Sequence, residues 1–383
     1  MIGFYGKQIL KMIAQHILFP VCYAWHRRKK VIPHSVVFAD AHKEQCPEQM
    51  QRLMDALMTR GYRVTTCFFN LETLGTVGGM KKMLAFMRVY ARSRFVILQD
   101  NFLPVASCRK RKDTTVIQLW HGCGAFKKFG YDAEDDIPLY YKGNVYKNYD
   151  LVTVSSPYCR PYFMSAMRIE NKEIVQALGN SYTDRYFDEA YQKDIRQRFE
   201  AYYGSVKNRS VIVWAPTFRG NAGQQGDADK TELPGEAFID ALSENPDYLV
   251  IKSLHPHMLH GKKLPFRTGE LLLVADMLIT DYSSVFFEYL LVDKPIVFFA
   301  PDYESYYEKR GFYLNYRELP GQVVTDASVL PQAVKNALRE PETDSFNIQK
   351  RKQFREQYMG SCDGNATKRI VKYMTTEEKR QRC

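Results

Sequence analysis

The sequence predicts an α/β protein of two Rossmann-like domains facing a cleft, and three observations carry that prediction. Apolar runs of strand length alternate with helix-length segments through two successive series. A polar stretch, Gly204-Ser205-Val206-Lys207-Asn208-Arg209, separates the two and sets a boundary at 205/206. The best-defined piece, Leu271 to Ala300, reads as strand, abrupt polar turn, short helix and second strand, a βαβ unit.

The first series starts at Ser35. Val36 to Ala39 is a strand, Pro47 to Thr59 a helix, Tyr62 to Phe69 a strand, Gly79 to Arg92 a helix and Phe95 to Gln99 a strand. Thr115 to Leu119, Leu151 to Ser155 and Glu173 to Leu178 add strands, and a long helical stretch from Thr183 to Tyr203 closes the domain, 31–205. The second domain, 206–383, opens with the strand Val211 to Ala215, a helix near Glu236 to Ser243 and the strand Tyr248 to Ser253. The βαβ unit follows, then Val323-Val324 and helices near Ser328 to Arg339 and Phe346 to Gln357. A P-loop and a complete GxGxxG are both missing, so neither an NTPase nor a dinucleotide oxidoreductase is indicated.

Within the βαβ unit, Leu271 to Val274 and Met277 to Thr280 have strand length, and Val285 to Val292 has helical spacing with Phe286, Phe287, Leu290 and Leu291 as core candidates. Asp281-Tyr282-Ser283-Ser284 stands where the strand ends and the helix begins. Two readings fit that turn. Its Ser and Asp side chains act as caps alone, or its free N–H groups and hydroxyls form an anion site for a phosphate or diphosphate.

Composition is that of an ordinary folded protein, with 45% hydrophobic and 25% charged residues, and gives no sign of disorder. A net charge of +11 favours acidic partners: nucleic acid, anionic lipid or a phosphate-rich substrate. The eight Cys are scattered without a CxxC pair, which indicates free thiols in a reducing cytosol. Residues 1–30 form a separate segment in which apolar Ile9 to Trp25 precedes His26-Arg27-Arg28-Lys29-Lys30. Only fourteen residues separate Lys11 from His26, whereas crossing a bilayer takes about twenty apolar residues. The segment therefore reads as an interfacial helix on an anionic cytoplasmic membrane surface; a packing helix with a solvated basic end is the other reading.

Chemistry enters at Gln118-Leu119-Trp120-His121-Gly122-Cys123-Gly124, where a strand runs into a His followed by glycines. His121 at a strand's carboxyl end suits general-base work near neutral pH, with Lys127 and Lys128 adding positive charge; a structural loop His is the alternative. In the second series, Arg219 and Lys252 can meet phosphate oxygens and His255 can donate to them. Zinc on His255, His257 and His260 is disfavoured, because Pro256 disrupts the spacing and no carboxylate or Cys is near; no metal is expected. Asp227-Ala228-Asp229 resembles a metal-binding DxD but lies in a Gly-rich polar loop.

Together these pieces resemble the CDP-glycerol glycerophosphotransferase family of teichoic acid primases and polymerases. The carriers are QLWHGCGAFKKFGYD (118–132), NYDLVTVSSPY (148–158), VWAPTFRG (213–220), KSLHPH (252–257), ITDYSSVFFEYLLVDKPIVFF (279–299) and RGFYLNY (310–316). The resemblance implies a GT-B fold whose second domain binds CDP-glycerol and whose last helix commonly returns to the first domain. It implies an acceptor base at His121, diphosphate contacts at His255, Arg219, Ser283 and Ser284, and ribose or cytidine contacts near Glu288 and Pro256. Asp281 joins the donor side by position; His42 and Asp184 join Lys127 and Lys128 as acceptor-side candidates. Where the family has Gly-x-Pro-Arg-Asn-Asp, this chain has Gly179-Asn180-Ser181-Tyr182-Thr183-Asp184, so the Arg is a Tyr. Phe38-Ala39-Asp40-Ala41-His42-Lys43 also departs from the family's Gly-containing first loop.

The expected activity is transfer of glycerol phosphate from CDP-glycerol to a hydroxyl of a membrane-held acceptor, an undecaprenyl-diphosphate-linked saccharide or polyol phosphate, with release of CMP. It needs no cofactor and no nucleic acid. The alternatives are a sugar-nucleotide glycosyltransferase or epimerase on the same fold, and a peripheral membrane protein that binds nucleotide without turnover.

Overall fold

A computed structural model describes residues 12–42, 44–70, 76–134, 136–137, 143–217, 233–254, 264–339 and 345–380. The chain divides into two units: residues 1–121, 130–184 and 361–383 form the first, and residues 122–129 and 185–360 the second. Each has its own parallel sheet, the α/β class expected.

In the first unit the strands are β1 (Ile32–Asp40), β2 (Arg63–Phe68), β3 (Ser93–Leu98), β4 (Thr115–Gln118), β5 (Leu151–Thr153) and β6 (Val175–Gln176). They lie all parallel in the order β2-β1-β3-β4-β5-β6. Val36, Phe38, Phe95, Ile97 and Ile117 bury on the sheet. The helix Glu48–Thr59 covers them with Met50, Leu53 and Leu57, spaced to share one face, and stops at Gly61, whose φ of +77° is the left-handed cap glycine favours. The helix Ala366–Arg380 adds Ile370, Val371 and Met374 to the same core, so the end of the chain belongs to this unit.

The second unit holds β7 (Ser210–Ala215), β8 (Tyr248–Lys252), β9 (Met277–Thr280), β10 (Ile296–Phe299) and β11 (Gln322–Val324), parallel in the order β11-β10-β9-β7-β8. Ile212, Trp214, Met277, Ile279, Val297 and Phe299 form its core with Leu330, Ala333 and Val334 of the helix Leu330–Leu338. Both sheets reverse the direction of strand addition once, between β1 and β3 in one and between β7 and β9 in the other. Ligands of open α/β sheets bind outside the carboxyl ends of the strands at such reversals.

Three expectations are corrected. Leu271 to Val274 is not a strand: the helix Thr268–Leu272 occupies the run, its first turn closed by the Glu270 carboxylate, which accepts the Arg267 N–H at 2.7 Å. Thr183 to Tyr203 is not one helix but a 3₁₀ stretch, Ser181–Phe187, then the helix Glu189–Tyr203. Asp188 caps that helix by accepting the Tyr191 N–H at 3.1 Å. The division falls at 184/185 rather than 205/206, because this helix buries Ile195 and Phe199, and Phe199 packs on Phe266 of the second unit.

At the amino end a wide turn, Ala14–Leu18, leads into the helix Phe19–His26; Phe19 and Tyr23 are buried, while Ile13, Ile17, Val21 and Trp25 are exposed. No helix among the described residues is long and apolar enough to cross a membrane. None of the seven described cysteines is in a disulfide.

Candidate active site

In the first unit, three strand ends bring the chemistry together. Ala39 pairs with Leu98, and Leu98 with Gln118, so β1, β3 and β4 leave the sheet at one level. Beyond β4, Gln118 accepts the Trp120 N–H on Oε1 (2.9 Å) while its Nε2 donates to the Asp100 carbonyl (2.9 Å) and the Tyr149 hydroxyl (3.1 Å). This clamp holds Trp120 at φ 61°, a left-handed backbone that a bulky residue adopts only under constraint. The Trp120 ring stacks on His121 with centroids 4.5 Å apart and meets Phe163 edge-on.

His121 Nδ1 lies 3.2 Å from Asp100 Oδ2, and the same oxygen lies 3.8 Å from His42 Nε2. His42 Nδ1 is in turn 3.4 Å from Asp40 Oδ1, which also accepts from Gln99 Nε2 at 3.1 Å. The His121 side chain is 48% exposed, so a substrate can reach the ring, while Asp40 is buried. Desolvation works against a proton on His121, but the charge and hydrogen bond of Asp100 outweigh it and hold the imidazole above its ordinary value. Burial pushes the Asp100 carboxyl up, yet His121 and His42 leave it below the usual carboxylate range. With Nδ1 turned to Asp100, Nε2 is the atom that can take a substrate proton. His121 and His42 are thus brought together, by a residue that motif reading missed. Asp100 carries a signal all the same, since it stands just past a predicted strand, as His121 does.

In the second unit, the serine turn lies at the β7–β9 reversal. Thr280 Oγ1 donates to the Ala215 carbonyl at 2.7 Å, and Asp281 Oδ1 accepts the N–H groups of Thr217 (2.8 Å) and Tyr282 (2.5 Å). Asp281 is therefore a buried tie between two strand ends. Ser283 Oγ accepts the Val285 N–H at only 3.4 Å, and Ser284 makes no side-chain cap to the short helix Val285–Tyr289. Capping alone does not account for the pair. Ser284 stands against Gly122, where an added Cβ would come within 3.2 Å of its hydroxyl oxygen. Gly124, at φ +67°, leaves no room for a side chain: a Cβ would lie 2.3 Å from the Phe287 ring. Next in the segment, Phe126 packs among Phe286, Phe312 and Tyr316.

Several expected site residues have other partners. Lys127 forms an antiparallel bridge with Phe312, and the Lys128 N–H donates to the Gly311 carbonyl, so the backbone of both stands in the second unit. Asp184 caps the helix Ala366–Arg380 by accepting the N–H groups of Ala366 (3.0 Å) and Thr367 (2.8 Å). Its neighbour Tyr182, the departure from the family motif, is buried. Lys252 Nζ lies 2.7 Å from Glu236 and 2.6 Å from Asp240, neutralised by two carboxylates rather than directed at a phosphate. Glu288 Oε2 accepts from Arg185 Nη2 (3.1 Å) and the Tyr186 hydroxyl (2.8 Å). Arg219, His255 and Pro256 lie outside the described residues, as do Asp227-Ala228-Asp229, His257, His260 and residues 1–11.

A family model described as CDP-glycerol:poly(glycerophosphate) glycerophosphotransferase matches residues 21–376. The chain is 31% identical over 366 residues to a teichoic acid ribitol-phosphate primase of Bacillus spizizenii, covering 89% of this chain and 90% of that one. It is 30% identical over 301 residues to a teichoic acid glycerol-phosphate primase of Bacillus subtilis, covering 74% and 73%. Among solved structures, the wall teichoic acid polymerase TagF superposes with a TM-score of 0.76 at 19% identity, covering 100% of this chain and 99% of that one. A UDP-N-acetylglucosamine 2-epimerase from Listeria monocytogenes superposes at 0.53 with 12% identity, covering 90% and 95%, a likeness of fold alone.

Proposed function

The chain belongs to the CDP-glycerol:poly(glycerophosphate) glycerophosphotransferase family, and from that premise we propose that it transfers an alditol phosphate from a CDP-alditol to a hydroxyl of a membrane-linked acceptor in teichoic acid synthesis. The donor is CDP-glycerol in the first reading. The observation that carries the proposal is His121, exposed at a strand's carboxyl end with Nδ1 on Asp100.

The roles divide by unit. In the first, His121 Nε2 takes the proton of the acceptor hydroxyl as its oxygen attacks the β-phosphorus, and Asp100 stabilises the imidazolium that forms. The bond from the β-phosphorus to the bridging oxygen breaks, and CMP leaves with that oxygen. In the second, Ser283, Ser284 and the N–H groups of their turn donate to the diphosphate oxygens, where charge accumulates. Arg219, His255 and Pro256 keep the donor-side roles that the family resemblance gives them.

The membrane reading rests on one exposed stripe. Ile13, Ile17, Val21 and Trp25 recur every fourth residue and stay exposed. Arg27, Arg28, Lys29 and Lys30 follow them, and the Arg111 guanidinium binds the Arg27 and Lys29 carbonyls, bringing exposed Arg109 and Lys112 beside them. Apolar side chains next to six exposed cations fit an anionic bilayer surface, the cytoplasmic face of a cell membrane.

A second donor, CDP-ribitol, is favoured by the likeness to a ribitol-phosphate primase along 90% of that chain. Incubating the protein with each CDP-alditol and undecaprenyl-diphosphate disaccharides, with product sizing by mass spectrometry, tests both. CMP release with one or more alditol phosphates added to the lipid is the expected result. Consumption of a UDP-sugar instead, or donor binding without CMP release, overturns the proposal.

A further inference from the structure

We propose that His42 is a positioning residue that sets the proton affinity of His121 through the carboxylate they share. Asp40, His42, Asp100 and His121 form an alternating row of carboxylate and imidazole, with successive separations of 3.4, 3.8 and 3.2 Å. The row draws on three strand ends, β1, β3 and β4, so the register of the sheet fixes it and no single loop can. Asp100 Oδ2 is the hinge: a negative charge there favours a proton on His121, and a positive charge on His42 opposes it across the same oxygen.

The other titratable neighbours do not change this balance. Asp40 sits beyond His42, is buried, and is hydrogen-bonded by Gln99. Tyr146 and Tyr149 both feel the Asp100 charge, but burial drives both phenols so far up that they stay protonated at working pH. Trp120 contributes a ring face and no charge. His42 and Asp100 therefore act on His121 with opposite sign, and removing either moves its titration in a direction that a merely structural role would not produce.

The coupling stands on geometry; its effect on rate rests on the reading of His121 as the base. The test is an NMR titration of the His121 imidazole in wild type, His42→Gln and Asp100→Asn, assigned with His121→Gln, alongside the pH dependence of kcat/KM. His42→Gln removes a neighbour that opposes the His121 proton, so the His121 titration should rise. Because both rings lie within 3.8 Å of one oxygen, the rise is about half a pH unit at water-like screening. Asp100→Asn removes the negative neighbour and should lower the titration by about one unit. The acid limb of kcat/KM should follow both shifts, since the base is active only when neutral.

If His121 does not move in His42→Gln, or moves down, the proposal is overturned whatever the rates do. If the titrations shift as stated while the acid limb stays fixed, the coupling stands and the base assignment fails. Should His42→Gln not fold by circular dichroism, His42→Asn replaces it under the same criteria.

Discussion

Replacing Glu288 by Gln separates two readings of that residue, a nucleotide contact and a structural anion. Arg185 and Glu288 are 7% and 15% exposed at their side chains, so their ion pair is shielded from solvent. Burial works against the Arg185 charge, yet Tyr186 and Glu288 outweigh it and hold the guanidinium more firmly protonated than usual. The group also has nowhere to go: it lies beneath Gly269, where an added Cβ would be 1.8 Å from Nη2. Glu288→Gln leaves this cation buried without its anion, a loss of about 3–5 kcal/mol, or roughly 6–20 °C in Tm for a unit of this size. Thermal unfolding by circular dichroism should show that drop, while calorimetry well below the transition should find CDP-alditol affinity within about three-fold of wild type. Adding Arg185→Met should restore most of the loss, because the uncompensated charge is then gone. An unchanged Tm with donor affinity lost would refute the reasoning and return Glu288 to the donor side.

Three further outcomes follow from the same geometry. His121→Ala should reduce turnover by roughly 10² to 10⁴ while donor affinity measured by calorimetry stays near wild type; near-normal turnover would remove it as the base. Ser283→Ala with Ser284→Ala should weaken donor binding while the melting curve moves by no more than a lost cap, about 1 kcal/mol; unchanged affinity places the phosphate elsewhere. Gly124→Ala combines a left-handed backbone with a Cβ driven into the Phe287 ring, and should cost about 2–5 kcal/mol by thermal unfolding, where a change under 1 kcal/mol would contradict the packing.

The fold was legible because parallel strands buried on both faces read as continuous apolar runs. Asp40 and the five residues before it are all buried in β1, and Ile296–Phe299 is buried throughout. The same logic failed at Leu271 to Val274, since a four-residue apolar run is equally a buried helix turn and only the Glu270 cap decides. It failed again at Asp188, a helix start hidden inside a longer helical pattern. Residue type was a weaker guide in the site. Lys252 and Asp184 stand at strand or segment ends, as an active site requires, but partners distant in sequence engage them: Glu236 and Asp240 for one, the Ala366 and Thr367 N–H groups for the other.

Asp100 and Asp281 make the distinction sharpest, since each follows a central strand at the reversal of its own sheet and sequence position treats them alike. Asp281 is 2% exposed and its carboxylate is met by two backbone N–H donors, so its work is to lock β9 to β7. A diphosphate at the serine turn would then face hydroxyls and N–H groups rather than an open negative charge, which is what an anion site needs. The Asp100 side chain is 26% exposed, and a single oxygen faces two imidazoles, so its charge acts on groups that can exchange protons with a substrate. One carboxylate is engaged by the backbone beside the proposed anion site; the other faces the proposed base. What separates them is the partner each strand register supplies, and that follows from the order β2-β1-β3-β4 and β9-β7-β8 rather than from any local motif.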